Sequence, residues 1–99
     1  LARAAGLPLI VDAAAETDLR RYVAAGADLV CYSGGKAIGG PTSGFLVGRA
    51  PLIEACELQG GGIARPMKVG KEQVMGLMAA LERYPPPETW RATGARLFE

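Results

Sequence analysis

The 99-residue sequence contains no histidine, and its two cysteines, Cys31 and Cys56, lack the spacing of metal ligands. The composition therefore predicts no metal site, and we expect both cysteines to be reduced thiols of a cytoplasmic protein. Eleven basic and ten acidic residues leave a net charge of +1 without a charge block, so no basic face for nucleic acid is indicated. No apolar run is long enough to cross a bilayer and no secretory leader is evident, so we expect no membrane association.

The length and composition suit one globular domain or less. Hydrophobic residues make up 49% and charged residues 21% of the chain, which leaves too little core for two domains. The sequence opens without methionine, in residues 1–5, which we expect to be the end of a helix with Gly6 as its C-terminal cap. We therefore expect it to be a piece of a longer protein.

Short apolar runs alternate with segments of helical periodicity, which predicts an α/β layered fold. The expected strands cover residues 7–13, 28–32 and 44–48. The expected helices are one from a Thr17 cap to about Ala25, one beginning near Pro51, one over residues 70–84, and a short one within 88–99. In the third helix an apolar stripe is expected to face the core, formed by Val74, Leu77, Met78 and Leu81.

The glycine-rich segment SGGKAIGGPTSG, residues 33–44, follows the second predicted strand and contains a single lysine, Lys36. It is not a P-loop, because that motif requires a glycine where Val30 stands and a serine or threonine where Ala37 stands. Ligands of α/β proteins bind at the carboxyl ends of strands. Asp12 and the Lys36 loop both follow strand ends, so we expect a site there.

A lysine at a strand end can form a Schiff base with an aldehyde cofactor when its neutral amine is available. Pyridoxal phosphate also needs a carboxylate beside its pyridine nitrogen, for which Asp12 is a candidate. Its phosphate needs hydrogen-bond donors, which the Ser33 hydroxyl and the backbone N–H groups of Gly34 and Gly35 offer. These residue types therefore favour a site for pyridoxal phosphate.

Three motifs, VDAAAE, GADLVCYSGGKAIGGPTSGFLVGR and GIARPMKVGKE, together resemble pyridoxal-phosphate enzymes of the aspartate-aminotransferase fold, fold type I. The resemblance covers residues 9–84 and is closest to the group of selenocysteine synthase (L-seryl-tRNA(Sec) selenium transferase) and D-glucosaminate-6-phosphate ammonia-lyase. It implies that residues 1–84 are the C-terminal part of the large cofactor-binding domain, with a mixed, mostly parallel sheet flanked by helices. Residues 85–99 would be a linker and the start of the following helix or small domain.

The resemblance also implies roles for single residues. Lys36 matches the catalytic Schiff-base lysine, Asp12 the partner of the pyridine nitrogen, Ala14 a small residue near the ring, and Ser33 a ligand of the phosphate. Gly40 and Pro41 match the turn that follows the lysine. Thr42 and Ser43 are expected to line the substrate site or to meet a neighbouring subunit. Arg65 and Lys68 match a basic segment that is expected to contact phosphate or substrate.

The implied reaction is β-elimination from an α-amino acid, most like the conversion of a 2-amino sugar acid phosphate to a 2-keto-3-deoxy acid and ammonia. Gly35 favours this lyase branch, because selenocysteine synthases tend to carry aspartate there. Ala15 argues against a cysteine desulfurase, which has glutamine at that position. The alternatives are a selenium transferase acting on seryl-tRNA and a catalytically incomplete fragment. A homo-oligomer is expected, since enzymes of this fold usually build each site from two subunits.

Overall fold

A computed structural model describes residues 1–84 of the chain. The expected linker and helix over residues 85–99, and the expected domain boundary at their start, lie outside the described residues and stay predictions. Within residues 1–84 the elements, in chain order, are β1 (Ile10–Asp12), α1 (Arg21–Ala24), β2 (Leu29–Ser33), β3 (Gly44–Gly48), α2 (Ala50–Gln59), a short 3-10 helix (Arg65–Met67) and α3 (Lys71–Glu82).

The three strands form one mixed sheet in the order β1-β2-β3. Strand β1 is parallel to β2, with Asp12 opposite Cys31, and β2 is antiparallel to β3, with Ser33 opposite Gly44. The α/β class is confirmed, and the described sheet has one parallel and one antiparallel pairing rather than a parallel majority. Because of these directions, β1 and β2 end at the same sheet edge at which β3 begins.

The core lies on one face of the sheet. Strand residues alternate between the two faces, and those on the covered face pack against the segment that connects β1 to β2. The rings of Tyr32 and Phe45, which are opposite each other on β2 and β3, stack with centroids 5.2 Å apart. The buried cluster consists of Ala13, Ala27, Val30 and Tyr32, with Val11, Leu19, Tyr22, Phe45 and Val47 packed against it.

The predicted helix from Thr17 to Ala25 is wrong in its start. The helix begins at Arg21, and the Oδ1 atom of Asp18 accepts hydrogen bonds from the N–H groups of Arg20 and Arg21, both at 3.0 Å. Asp18 therefore satisfies the free N–H groups at this helix start, as a capping carboxylate does, and Thr17 does not. The three residues before Arg21 are not helical, which shortens the helix to four residues.

The predicted first strand, residues 7–13, is also too long. The N–H group of Leu9 donates to the Asp28 carboxylate at 2.8 Å, and the carbonyl of Leu9 accepts from the N–H groups of Asp28 and Leu29. A side chain therefore takes the place of a strand partner at Leu9, and regular pairing begins only at Ile10.

The apolar stripe predicted on α3 is only partly buried. Leu77 is 8% exposed, whereas Val74 and Met78 are 44% and 54% exposed. Leu77, together with Gly76 and Ala80, faces the loop between β2 and β3. No described helix combines the length and the apolarity needed to traverse a membrane.

Candidate functional site

The candidate site lies at the sheet edge where β1 and β2 end. Asp12, the last residue of β1, is exposed, and its Oδ1 atom accepts a hydrogen bond from the N–H group of Ala14 at 3.2 Å. Within residues 1–84 its carboxylate makes no other hydrogen bond and no ion pair. The tight turn after β1 therefore fixes one carboxylate oxygen and leaves the other available to a ligand.

Backbone hydrogen bonds bring the segment after β1 alongside the end of β2. The N–H group of Ala13 donates to the Cys31 carbonyl at 2.9 Å, and that of Ser33 donates to the Ala14 carbonyl at 3.3 Å. Ala14 and Ser33 are therefore neighbours at the site edge. The Ser33 hydroxyl has no hydrogen-bond partner in the described part of the chain, so it can still bind an external group.

The loop from residue 34 to residue 43 carries Lys36 and is closed by its own backbone. The N–H group of Gly40 donates to the Gly34 carbonyl at 2.7 Å, and that of Gly39 donates to the Lys36 carbonyl at 3.0 Å. Gly39 has a φ of +75°, a left-handed conformation that glycine adopts without strain. The Lys36 side chain is exposed and makes no ion pair or hydrogen bond with the described residues.

Gly34 has a steric role in this loop. It is buried, and a Cβ atom added there would overlap the Ser43 hydroxyl and lie 2.8 Å from Leu77 Cδ1. Its N–H group donates to the Ser43 carbonyl at 2.8 Å. In this arrangement the Gly34 N–H is used inside the loop, whereas the N–H of Gly35 makes no hydrogen bond within residues 1–84.

The predicted substrate residues do not come together as one group. Thr42 and Ser43 lie at the site edge beside the start of β3, and the Ser43 hydroxyl donates to the Pro41 carbonyl at 2.7 Å. Arg65 and Lys68 lie at the 3-10 helix, where both are exposed and neither forms an ion pair with another described residue. Their expected contacts with substrate stay predictions.

Cys31 on β2 lies opposite Asp12 on β1, and the charge of Asp12 affects the pKa of the Cys31 thiol. Burial raises the pKa of the Cys31 thiol, and the negative charge of Asp12 raises it further. Both cysteines are free and half-buried. The residues that the structure describes contain no cluster of three or more side chains suited to a metal ion.

The described clefts lie beside the candidate edge rather than on it. One, of about 390 Å³, is lined by the loop after Lys36 and by α3 beside their contact, and another, of about 690 Å³, lies at the opposite edge near Leu9, Asp28 and Arg49. Neither is lined by Asp12 or Lys36. Sequence reasoning missed the contact of α3 with the lysine loop, for which the only sequence signal is Gly76 in mid-helix.

The groups available at this edge fit pyridoxal phosphate by their chemistry. A carboxylate with one oxygen unpaired among residues 1–84 suits the pyridine nitrogen, and an exposed amine suits the aldehyde. A hydroxyl and a backbone N–H that find no acceptor in the same residues suit the phosphate. These groups belong to Asp12, Lys36, Ser33 and Gly35, and the fit rests on this set of donors and acceptors.

Comparison with known proteins agrees with the resemblance noted in the sequence. The model of the L-seryl-tRNA selenium transferase family matches residues 10–97. A D-glucosaminate-6-phosphate ammonia lyase of Salmonella typhimurium is 58% identical over 97 residues, which are 98% of this chain and 26% of the relative. A 5'-C-glycyluridine monooxygenase-decarboxylase of a Streptomyces species is 58% identical over 93 residues, which are 93% of this chain and 23% of the relative.

A less similar sequence and a solved structure point to the same family. An L-seryl-tRNA(Sec) selenium transferase of Rhizobium meliloti is 41% identical over 83 residues, covering 84% of this chain and 17% of the relative. A solved structure of D-glucosaminate-6-phosphate ammonia-lyase superposes with a TM-score of 0.81 at 63% identity, covering 84% of this chain and 22% of that chain. The chain thus spans about a quarter or less of the length of these relatives.

Proposed function

The chain belongs to the L-seryl-tRNA selenium transferase family, and on this basis we propose that it provides the lysine-bearing edge of a pyridoxal-phosphate enzyme. One observation carries the proposal: the Asp12 carboxylate, the Ser33 hydroxyl and the loop of Lys36 all occupy one sheet edge. Within the described part of the chain, the side chains of Ser33 and Lys36 have no hydrogen-bond partner and that of Asp12 has one. In an α/β fold this edge is where ligands bind.

Each residue would hold one part of the cofactor. Lys36 would attach it through Nζ, Asp12 would keep a proton on its ring nitrogen, and Ser33 with the N–H of Gly35 would bind its phosphate. Gly34 would contribute space rather than a donor, because its N–H is used by Ser43. Ala14, next to Ser33, would leave room for the ring.

When bound, pyridoxal phosphate supplies an electron-withdrawing ring that acidifies the α-carbon of an amino acid. In this setting Lys36 Nζ would remove the α-proton as a general base, since it lies on the loop that would present it to the substrate. Asp12 would maintain the positive ring nitrogen through a charge-assisted hydrogen bond. Arg65 and Lys68 would bind the anionic end of the substrate, and Thr42 and Ser43 would border it.

We favour a lyase that acts by β-elimination on a 2-amino sugar acid phosphate and gives a 2-keto-3-deoxy acid and ammonia. The higher identity to the ammonia lyases, 58% and 63% against 41% for the selenium transferase, supports a lyase over a selenium transferase. Gly35, in place of the aspartate expected in selenocysteine synthases, supports it independently. A cytoplasmic homo-oligomer is part of the same proposal.

Selenium transfer to seryl-tRNA is the second candidate, supported by the family match over residues 10–97. In that case tRNA would be a partner. The relative named as a glycyluridine monooxygenase-decarboxylase, also 58% identical, adds a third chemistry that the sequence analysis did not anticipate. The names of all three relatives contain an amino-acid or amino-sugar unit, which supports an amine-bearing substrate. The chain spans only about a quarter of the length of these relatives, which supports the further alternative that it is a catalytically incomplete piece.

The test compares substrates directly. The protein, loaded with pyridoxal phosphate, is given a 2-amino-2-deoxy sugar acid phosphate, and ammonia and keto acid are measured. We expect equal amounts of both products and none with the Lys36→Ala variant. Turnover of seryl-tRNA with a selenium donor, without turnover of the sugar acid, would assign the second candidate instead.

A further inference from the structure

Helix α3 packs unusually closely against the loop that bears Lys36. Gly76 lies in the middle of α3, and a Cβ atom added to it would be 2.9 Å from Pro41 Cγ and 3.1 Å from Pro41 Cδ. Its φ is not positive, so the backbone does not require glycine at this position. Glycine is also less favourable than alanine in a helix interior. The close approach of the Pro41 ring therefore accounts for Gly76.

Neighbouring residues of α3 extend the same contact. A Cβ atom added to Gly40 would lie 3.3 Å from Ala80 Cβ and 3.6 Å from Leu77 Cα. Leu77 is buried and reaches Gly34 at the other end of the loop. The helix therefore touches the loop close to both of its ends.

Hydrogen bonds link this contact to the segment that carries the lysine. The Pro41 carbonyl accepts from the Ser43 hydroxyl at 2.7 Å, and the Ser43 carbonyl accepts from the Gly34 N–H at 2.8 Å. The Gly34 carbonyl accepts from the Gly40 N–H at 2.7 Å. Lys36 lies between Gly34 and Gly40, so a displacement of Pro41 also displaces the base of the lysine loop.

We propose that Gly76 is a positioning residue for Lys36: its missing side chain lets the Pro41 ring seat against α3 and so fixes the loop from which the lysine extends. The role of Lys36 in this statement rests on the proposed function. The seating of Pro41 on Gly76 is a property of the protein without cofactor and can be tested separately.

The first experiment measures amide hydrogen exchange at Gly34 and Gly40 by NMR in the cofactor-free protein. Gly76→Ala is compared with the wild type, with Pro41→Ala, and with the double variant, which lacks the ring atoms that would clash. Met75→Ala is the matched control, because Met75 is the neighbouring residue of α3 and is 65% exposed. Thermal unfolding is recorded for every variant, so that global destabilisation is recognised.

We expect Gly76→Ala to accelerate exchange of the Gly40 amide about tenfold, because packed groups displaced by an extra methyl lose their hydrogen-bond geometry. Exchange in the double variant should return to within about twofold of Pro41→Ala alone, and Met75→Ala should have no effect. Unchanged exchange in Gly76→Ala, or no recovery in the double variant, would overturn the proposal.

The second experiment measures pyridoxal phosphate fixed to Lys36 by borohydride, located by mass spectrometry. We expect Gly76→Ala to capture cofactor about tenfold more slowly, with recovery in the double variant, because small misplacements of a reacting amine have large effects on rate. Normal capture despite accelerated loop exchange would overturn the positioning of Lys36. A wild-type protein that fixes no cofactor at Lys36 would instead refute the proposed function, and the exchange result would still decide whether Gly76 seats the loop.

Discussion

Replacement of Asp12 by asparagine separates the role of its charge from its role in folding. Asparagine has nearly the same shape, and its carbonyl oxygen can still accept the hydrogen bond that Ala14 N–H donates at 3.2 Å. Asp12 is exposed and has no other partner in residues 1–84, so the free energy of unfolding should change by less than about 0.5 kcal/mol. Asp12→Ala removes the acceptor as well and should cost up to about 1 kcal/mol.

The rate of the cofactor-dependent reaction should respond differently from stability. A hydrogen bond to a charged group contributes about 1.5–3 kcal/mol, so the loss of the carboxylate should slow proton removal from an amino-acid substrate about 10- to 150-fold. The assay is exchange of the substrate α-proton for deuterium, followed by NMR. Both variants should show this loss, although only Asp12→Ala should lose stability.

The pKa of the Cys31 thiol reports whether the negative charge of Asp12 was removed. The Asp12 carboxylate raises the pKa of the Cys31 thiol, so both variants should lower that pKa, while burial still keeps it above its ordinary value. Thiol titration with a chromogenic disulfide measures the change. If Asp12→Asn lowers the pKa of Cys31 but leaves α-proton exchange at the wild-type rate, the assigned role of Asp12 is wrong.

Three further predictions concern the scaffold of the site. Val30→Ala should lower the free energy of unfolding by about 1–3 kcal/mol in chemical denaturation, because Val30 is 0% exposed and its methyl groups would leave a cavity. The hydrogen bond from the N–H of Leu9, and after it Arg49, hold the pKa of the Asp28 carboxyl below its ordinary value. Asp28 therefore stabilises the fold at pH values above its ordinary pKa, and this stabilisation is lost as the pH falls through the lowered pKa. Asp28→Asn should flatten this acid dependence of the free energy of unfolding in urea. Gly34→Ala should cost about 1–3 kcal/mol by crowding the lysine loop, whereas the control Gly61→Ala, whose added Cβ would meet its nearest atom at an ordinary 3.7 Å, should change stability little.

The sequence was sufficient to predict the elements that depend on local pattern. Strand β3 has the predicted bounds, Gly44–Gly48, because glycines flank a short apolar run. The common edge for Asp12 and the Lys36 loop also follows from sequence, since Asp12 ends β1, the Lys36 loop follows β2, and the two strands are parallel. These predictions succeed because strand ends and glycine loops are encoded by neighbouring residues.

The errors arise where the hydrogen bonds of a particular side chain, or a tertiary contact, decide the outcome rather than the periodicity of the segment. Asp18 rather than Thr17 satisfies the N–H groups at the start of α1, and the Asp28 carboxylate ends the pairing of β1 at Leu9. The apolar stripe of α3 has correct helical spacing, but periodicity cannot say which of its residues find a partner. Pro41 and Gly76 lie 35 positions apart in the sequence. Apart from a glycine within a helix, nothing in the local sequence indicates that they pack together.

The most direct test of the central claim is to incubate the protein with pyridoxal phosphate, reduce it with borohydride, digest it and locate the adduct by mass spectrometry. Variants are expressed from the native gene, so that any flanking sequence is retained, and Lys36→Ala is the control. We predict a single adduct on Lys36 that is absent from the variant. Labelling spread over the exposed lysines Lys36, Lys68 and Lys71, or labelling unchanged in Lys36→Ala, would contradict the claim that this sheet edge holds the cofactor.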